Sequence, residues 1–340
     1  MSTRTSTELS SGMAGQGEQQ EPTARNVLLI HGRGFKPGGA AFSELCWEAL
    51  ASGITRDFPE QSEALGNVRC ELAYYGDLSG ALLTAAGKRY DEVLDIGDRR
   101  HALKSLKTLT TRKEFGIRHY DRLPGKTALY EFIADITAPV CSAFGMWVWL
   151  CKRCSRDFAA YLGTEPDYAE QVRDRLRKKL LPMLERGERI LLISHGTGSV
   201  VAWDVLWELS HTSPYKEQLQ GKKVDLWLTL GAPLGDAGVR RRLRGASEKT
   251  DARFPGNVVS WCNVSAEDDY TCHDKTIADD LRQMLQAKLL SSVTDFTIYN
   301  QAVRYGRSNP HSSVGYLIHP RVSKIVAGWL RDGVKGHSPM

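Results

Sequence analysis

The 340-residue sequence lacks an apolar run long enough to span a bilayer. Its most apolar stretch, Ile136–Cys151, is 16 residues long, whereas a membrane-spanning helix needs about 20. We therefore expect this stretch to be a buried helix or a helix that lines an apolar pocket. Residues 1–24 contain no apolar run either, which excludes a signal peptide and predicts a disordered tail. Residues 334–340 are expected to form a second tail.

A strong net charge is also absent. The chain has 45 Lys and Arg against 40 Asp and Glu, a formal net charge of +5. This mild excess is far from the clustered basicity of nucleic-acid-binding proteins, so we expect no nucleic-acid partner. It favours an anionic substrate or a membrane surface only weakly.

The cysteines lack the spacing of a disulfide framework or a zinc site. The seven are Cys46, Cys70, Cys141, Cys151, Cys154, Cys262 and Cys272. Cys151 and Cys154 form a single C-x-x-C motif, without the second pair or the histidines that zinc requires. We interpret the cysteines as buried free thiols of a cytoplasmic protein, and we expect no metal and no cofactor.

Short, nearly continuous apolar runs alternate with helical patterns, which predicts an α/β fold with a mostly parallel sheet flanked by helices. Strands are predicted at 26–30, 68–75, 189–193, 224–230, 258–264 and 296–299. Helices are predicted at 41–58, 200–209 and 320–330, the last with proline in its first turn. Right-handed crossovers are expected between the parallel strands.

Residues 78–185 show no β alternation and predict a largely helical insertion. We interpret it as a cap on a core that is formed by residues 25–77 and 186–333. The apolar stretch of the cap contains Trp147 and Trp149. An apolar cap above the site favours a lipid-like substrate, and it also offers a means of peripheral membrane contact.

The most informative segment is 191–200, where an apolar strand runs into Ser194-His195-Gly196-Thr197-Gly198-Ser199 and a helix follows at once. A sharp strand-to-helix turn needs small residues, and the residue at its apex takes a strained conformation. The segment lacks the Lys-Ser/Thr of a P-loop, and its spacing departs from the dinucleotide fingerprint.

This segment resembles the nucleophile elbow of the α/β-hydrolase superfamily, specifically of its lipases and esterases. In register with that motif, His195 and Gly198 match the family's His and second Gly, but Gly196 stands at the position of the nucleophilic serine. The resemblance covers about residues 26–330 without the cap. It implies the α/β-hydrolase fold and a substrate of the acyl ester class.

The resemblance also implies an oxyanion hole. The sequence His31-Gly32-Arg33-Gly34 after the first strand is similar to the loop that provides one amide of the hole in this family. The backbone N–H of Arg33 or Gly34 would then act with the N–H of Thr197. His31 and His195 flank this site and are expected to have structural roles.

The remaining members of a triad are implied after the fifth and sixth strands. Asp268 and Asp269 follow the fifth strand, where the family places its acid, and Asp269 is the preferred candidate. His311 lies before the final helix, where the family places its histidine. The order of nucleophile position, acid and histidine is that of the family.

Gly196 leaves several hypotheses open. The chain either hydrolyses an ester with water activated by His311 and its acid, or is an inactive pseudo-hydrolase that binds a ligand or a partner. A third, weaker hypothesis places attack on a neighbouring hydroxyl, of Ser194, Thr197 or Ser199. Gly196 as an engineered replacement of serine, and a module that binds membrane surfaces through the cap, are further alternatives.

Overall fold

A computed structural model describes residues 24–125, 155–272 and 276–332. These residues form an α/β fold around a six-stranded sheet in which every neighbouring pair of strands is parallel. The predicted fold class is confirmed: the sheet is parallel and helices flank it on both faces.

The spatial order of the strands is β2-β1-β3-β4-β5-β6. They are β1 (Arg25–Ile30), β2 (Arg69–Ala73), β3 (Arg189–His195), β4 (Val224–Leu230), β5 (Val258–Ala266) and β6 (Ser292–Ile298). Strand β6 begins four residues before the predicted start at 296. It lies at the edge of the sheet and is half-exposed, so its first residues carry no apolar run. Val303–Arg304 (β7) and Arg307–Ser308 (β8) form a small antiparallel ribbon.

Helices connect the strands. They are α1 (Gly39–Asp57), α2 (Ser62–Gly66), α3 (Gly76–Ala85), α4 (Glu92–Lys107), α5 (Ile117–Tyr120), α6 (Arg156–Ala159), α7 (Pro166–Glu185), α8 (Gly198–His211), α9 (Tyr215–Gln218), α10 (Ala237–Arg240), α11 (Ile277–Asp280), α12 (Arg282–Gln286), α13 (Ser313–Leu317) and α14 (Pro320–Asp332). A π-helical turn, Ala160–Thr164, follows α6. The three helices predicted at 41–58, 200–209 and 320–330 correspond to α1, α8 and α14.

Two apolar layers hold the helices against the sheet. On one face, Leu176 of α7 and Val205 of α8 pack in the same cluster as Leu28 of β1. On the other face, Leu50 of α1 packs in a cluster with Leu29, the next residue of β1. Successive side chains of a strand point to opposite faces, so β1 supplies both layers.

The described parts of the predicted cap are helical, from α3 to α7. Helix α7 packs on the sheet in the apolar cluster that contains Leu28, and its Leu176 and Leu180 are fully buried there. The apolar stretch Ile136–Cys151, with Trp147 and Trp149, lies outside the described residues. Its position above the site therefore stays a prediction.

Four of the cysteines lie in the described part of the chain, and all four are free thiols: Cys46, Cys70, Cys262 and Cys272. Cys141 and the C-x-x-C motif fall outside it. Across residues 24–125, 155–272 and 276–332, no helix combines the length and the apolar character that crossing a membrane requires.

Helix α8 starts in close contact with the end of β1. A Cβ atom on Gly198 would lie 2.4 Å from the carbonyl oxygen of His31. Because both partners are backbone, neither can move aside without shifting the helix from the sheet.

We expect Gly198→Ala to lower the free energy of unfolding by about 1–3 kcal/mol, the usual cost of an overpacked contact. Gly328→Ala in α14 is the matched control, since no atom lies within 4 Å of its added Cβ. It should raise stability by about 0.5–1 kcal/mol, because glycine disfavours helix interiors. Urea denaturation followed by circular dichroism measures both, and equal effects would contradict the packing argument.

Candidate active site

The candidate site lies at the carboxyl edge of the sheet, where open α/β sheets bind their ligands. Strand β3 ends at His195 and α8 starts at Gly198, with Gly196 in the turn between them. Gly196 has φ +54° and donates its N–H to Leu230 O at 2.9 Å. Glycine adopts this left-handed conformation at no steric cost.

The loops after β5 and β6 bring Asp269 and His311 to this turn. His311 Nδ1 lies 2.8 Å from Asp269 Oδ2, and the Asp269 side chain is 1% exposed. The other ring nitrogen, Nε2, would lie 2.9 Å from a Cβ atom on Gly196. The structure therefore places position 196, the histidine and the acid in contact, in that order.

Asp269 is held as a carboxylate. Burial by itself raises the pKa of a carboxyl group, but His311 and the hydroxyl of Tyr316 outweigh it and lower the pKa of Asp269 to about 2. Tyr316 Oη donates to Asp269 Oδ2 at 2.8 Å, and Thr271 N–H donates to Oδ1 at 3.0 Å. The acid is thus ionised and oriented at neutral pH.

Asp268, the second candidate for the acid, has a different partner. Its Oδ2 accepts a hydrogen bond from Tyr120 Oη at 2.5 Å. Of the two adjacent aspartates, the structure places Asp269 against His311.

The backbone around His311 is held by side chains that sequence reasoning missed or assigned no specific contact. Asn300 is fully buried, and its Nδ2 donates to Pro310 O at 2.8 Å and to Ser312 O at 3.0 Å. His195 Nε2 lies 3.0 Å from His311 O. Asn300 had no sequence signal, because its role arises only when the loop folds back onto it.

Gly231 at the end of β4 provides the space for the His–Asp pair. A Cβ atom on Gly231 would lie 2.6 Å from Asp269 Oδ2 and 3.2 Å from His311 Nδ1. The sequence analysis assigned this glycine no role. The close approach explains why no larger residue fits there.

His31 has a structural role in this arrangement, as expected. Its Nε2 accepts the N–H of Tyr75 at 3.0 Å, so its Nδ1–H donates to Gly32 O at 2.8 Å. Burial, followed by the charge of Lys36, lowers the pKa of His31 to about 3. His31 is therefore neutral, and both its ring nitrogens are engaged within the protein.

Two of the three residues predicted for an oxyanion hole, Arg33 and Thr197, line one cavity together with Tyr75 and Asp157. The N–H of Gly34 donates to Asp157 Oδ2 at 2.6 Å. The backbone N–H of Gly34 is therefore already bound to a carboxylate of the chain itself.

The neighbouring hydroxyl groups are engaged elsewhere. Ser194 Oγ and Ser199 Oγ lie 2.9 Å apart, and both residues are fully buried. Ser194 Oγ also accepts from Trp227 Nε1 at 2.9 Å. The hydroxyl of Thr197 lies 3.5 Å from Tyr75 Oη.

Comparisons with protein-family models, with curated proteins and with solved structures found no match to this chain. Among the residues that the structure describes, no group of three or more His, Cys, Asp or Glu side chains is placed to hold a metal ion.

The lowered pKa of Asp269 predicts an acid-dependent stability. A carboxyl group whose folded pKa is about 2, against an ordinary value of 3.8, stabilises the fold above pH 3.8, and this stabilisation is lost as the pH falls through 2. The difference corresponds to about 2 kcal/mol. We expect Asp269→Asn to be less stable than the parent at pH 5, and this gap to shrink by about 2 kcal/mol by pH 2. Urea denaturation at several pH values measures the gap; a gap independent of pH would contradict the assignment.

Proposed function

We propose that the chain is an α/β-hydrolase-fold protein of the ester-hydrolase type, in which His311 and Asp269 act beside an empty nucleophile position at Gly196. One observation carries this proposal. A Cβ at position 196 would lie 2.9 Å from His311 Nε2, while Nδ1 of the same ring is 2.8 Å from the buried Asp269. This is the contact order of a Ser-His-Asp triad.

The topology supports the same proposal. Position 196 follows a central strand and opens a helix, as in a nucleophile elbow. The acid and the histidine come later in the chain, in the order Asp269 and His311, which is the α/β-hydrolase order.

In this proposal, His311 Nε2 takes a proton from a water molecule beside Gly196, and the water oxygen attacks the carbonyl carbon of the ester. Asp269 keeps the proton of the imidazole on Nδ1 and stabilises the imidazolium that forms. The N–H of Thr197 and that of Arg33 or Gly34 would stabilise the oxyanion of the tetrahedral intermediate. When the bond to the alcohol oxygen breaks, His311 Nε2 returns the proton to the leaving alkoxide, and the acid and the alcohol are released. Oxyanion holes and binding alone sustain substantial catalysis when a triad member is missing.

Attack by a neighbouring hydroxyl finds little support. The hydroxyls of Ser194 and Ser199 bond to each other in the buried core, and freeing either would leave a buried polar group unsatisfied. Thr197 offers its hydroxyl to Tyr75 rather than to His311.

A second candidate function is that of an inactive binding protein on the same fold. The contact between Asp157 Oδ2 and the N–H of Gly34 favours it, because the occupied amide is one that an ester hydrolase would use. With Gly196 in the turn, the nucleophile and one oxyanion donor would both be missing.

The lipid-like character of the substrate rests on Trp147 and Trp149, which lie outside the described residues. A lipid-like ester, peripheral contact of the cap with a membrane and a cytoplasmic location stay predictions.

Restoring the serine tests the triad. Fluorophosphonate probes react with an activated serine, so the parent should not label at position 196, whereas Gly196→Ser should label. The ring of His311 must move by a few tenths of an ångström, since the added Cβ starts 2.9 Å from it. Gly196→Ser combined with His311→Ala is the control, and it should label at least about 100-fold more slowly. Mass spectrometry locates the adduct.

Ester hydrolysis by the parent separates the two functions. We expect the parent to cleave members of a panel of short- and long-chain esters, and His311→Ala to lower the rate by about 100-fold or more. If Gly196→Ser labels but the parent cleaves no ester, the binding-protein function replaces hydrolysis. If neither form labels or cleaves, the pocket does not support acyl transfer.

A further inference from the structure

Asp157 lies on the short helix α6, and its carboxylate is buried against the loop after β1. The residue is 3% exposed. Its Oδ2 accepts the N–H of Gly34 at 2.6 Å, and its Oδ1 accepts the hydroxyl of Ser155 at 3.2 Å. Within the described residues, Asp157 takes part in no ion pair. Each carboxylate oxygen thus accepts one hydrogen bond, of the about four that a carboxylate can accept, and the charge of Lys36 lies close enough to interact with it.

The amide that Asp157 occupies is presented by the loop after β1. Lys36 Nζ donates to the carbonyl oxygens of Arg33, Gly34 and Phe35, the last two at 3.3 Å. These carbonyls thus face Lys36 Nζ, while the N–H of Gly34 meets the carboxylate of Asp157. The loop is thus organised to offer an amide donor to an anion.

Arg33 adds a cation to the same cavity, which Thr197 and Tyr75 also line. No ion pair of Arg33 occurs in the part of the chain that the structure describes. Asp157 and Arg33 line one cavity without pairing with each other. The guanidinium therefore remains available for a bidentate contact with an external carboxylate.

The helix that contains Asp157 ends in an irregular turn. The π-helical turn Ala160–Thr164 comes directly after α6, and Gly163 within it has φ +135°. Single π-helical turns interrupt regular helices and frequently occur at functional sites. A small adjustment of this segment, or a change of the Asp157 rotamer, would free the amide of Gly34.

We infer that the N–H of Gly34 and the guanidinium of Arg33 form a carboxylate-binding subsite, which Asp157 fills in the free protein and which a carboxylate ligand enters by displacing it. The inference goes beyond the proposed function, because it concerns the binding of an anion and requires no turnover. A carboxylate is also what hydrolysis of an ester releases.

The experiment observes the amide of Gly34 directly. Labelling the full chain with carbonyl-¹³C arginine and ¹⁵N glycine selects Arg-Gly peptide bonds, and the sequence contains three, which end at Gly34, Gly187 and Gly245. Gly187 and Gly245 serve as internal controls of folding. The probe is sodium acetate, titrated at constant ionic strength against sodium chloride.

In Asp157→Ala, the Gly34 signal should move away from its parent position and return toward it, saturably, as acetate is added. The parent should bind acetate at least about tenfold more weakly, because the competent state is populated only when Asp157 has left. Arg33→Ala removes the arginine carbonyl that precedes Gly34, so this variant is labelled with carbonyl-¹³C alanine and ¹⁵N glycine instead. Added to Asp157→Ala, it should weaken acetate binding again by about tenfold.

Asp225→Ala is the matched control. Asp225 Oδ2 also accepts a backbone N–H, from Ile190 at 2.7 Å, but near the start of β3 and β4. This variant should leave the Gly34 signal at its parent position, and that signal should respond to acetate as weakly as it does in the parent.

A Gly34 signal that ignores acetate in Asp157→Ala, while Gly187 and Gly245 keep their parent positions, overturns the inference and makes Asp157 a structural tether. If Asp157→Ala does not fold, Asp157→Asn replaces it, since the amide keeps the size of the side chain and removes the charge. Acetate must then shift the Gly34 signal at lower concentrations than in the parent; an unchanged response overturns the inference as well.

Discussion

The hydrogen bond between His311 Nδ1 and Asp269 Oδ2 is the constraint around which the site is arranged. A buried carboxylate is costly unless hydrogen bonds and an adjacent cation or donor compensate it. Tyr316 and Thr271 supply two of those bonds, and Gly231 leaves the space in which the pair meets. The loops after β4, β5 and β6 are therefore coupled through one acid.

The parallel sheet makes this coupling geometrically possible. Every strand of the sheet ends at the same edge, so loops far apart in sequence meet there. Position 196, Asp269 and His311 come from three such loops. Asn300 then determines where His311 lies, by bonding to the carbonyl groups on both sides of it.

Two features distinguish this site from a complete ester hydrolase. Gly196 provides no hydroxyl, and the carboxylate of Asp157 occupies the amide of Gly34. The first leaves His311 Nε2 facing a position without a side chain, and the second pairs a backbone N–H with a carboxylate of the protein itself. Under the proposed function, the pair of His311 and Asp269 is preorganised, and access of a ligand to the N–H of Gly34 depends on Asp157.

Strands β1, β3 and β4 and the turn at Gly196 were predictable from the chain alone, because buried parallel strands are continuously apolar and a sharp turn requires small residues. The candidate histidine and the acid pair were implied by the resemblance to the α/β-hydrolase superfamily, which places these residues in the same order along the chain. Asp269 was already the preferred acid. Only the folded structure paired it with His311 and paired Asp268 with Tyr120. It also revealed Asn300 and brought Asp157 to Gly34. Those contacts join residues up to 148 positions apart. Side chains at such separations meet only through the packing of the whole sheet and its helices, which no local pattern encodes.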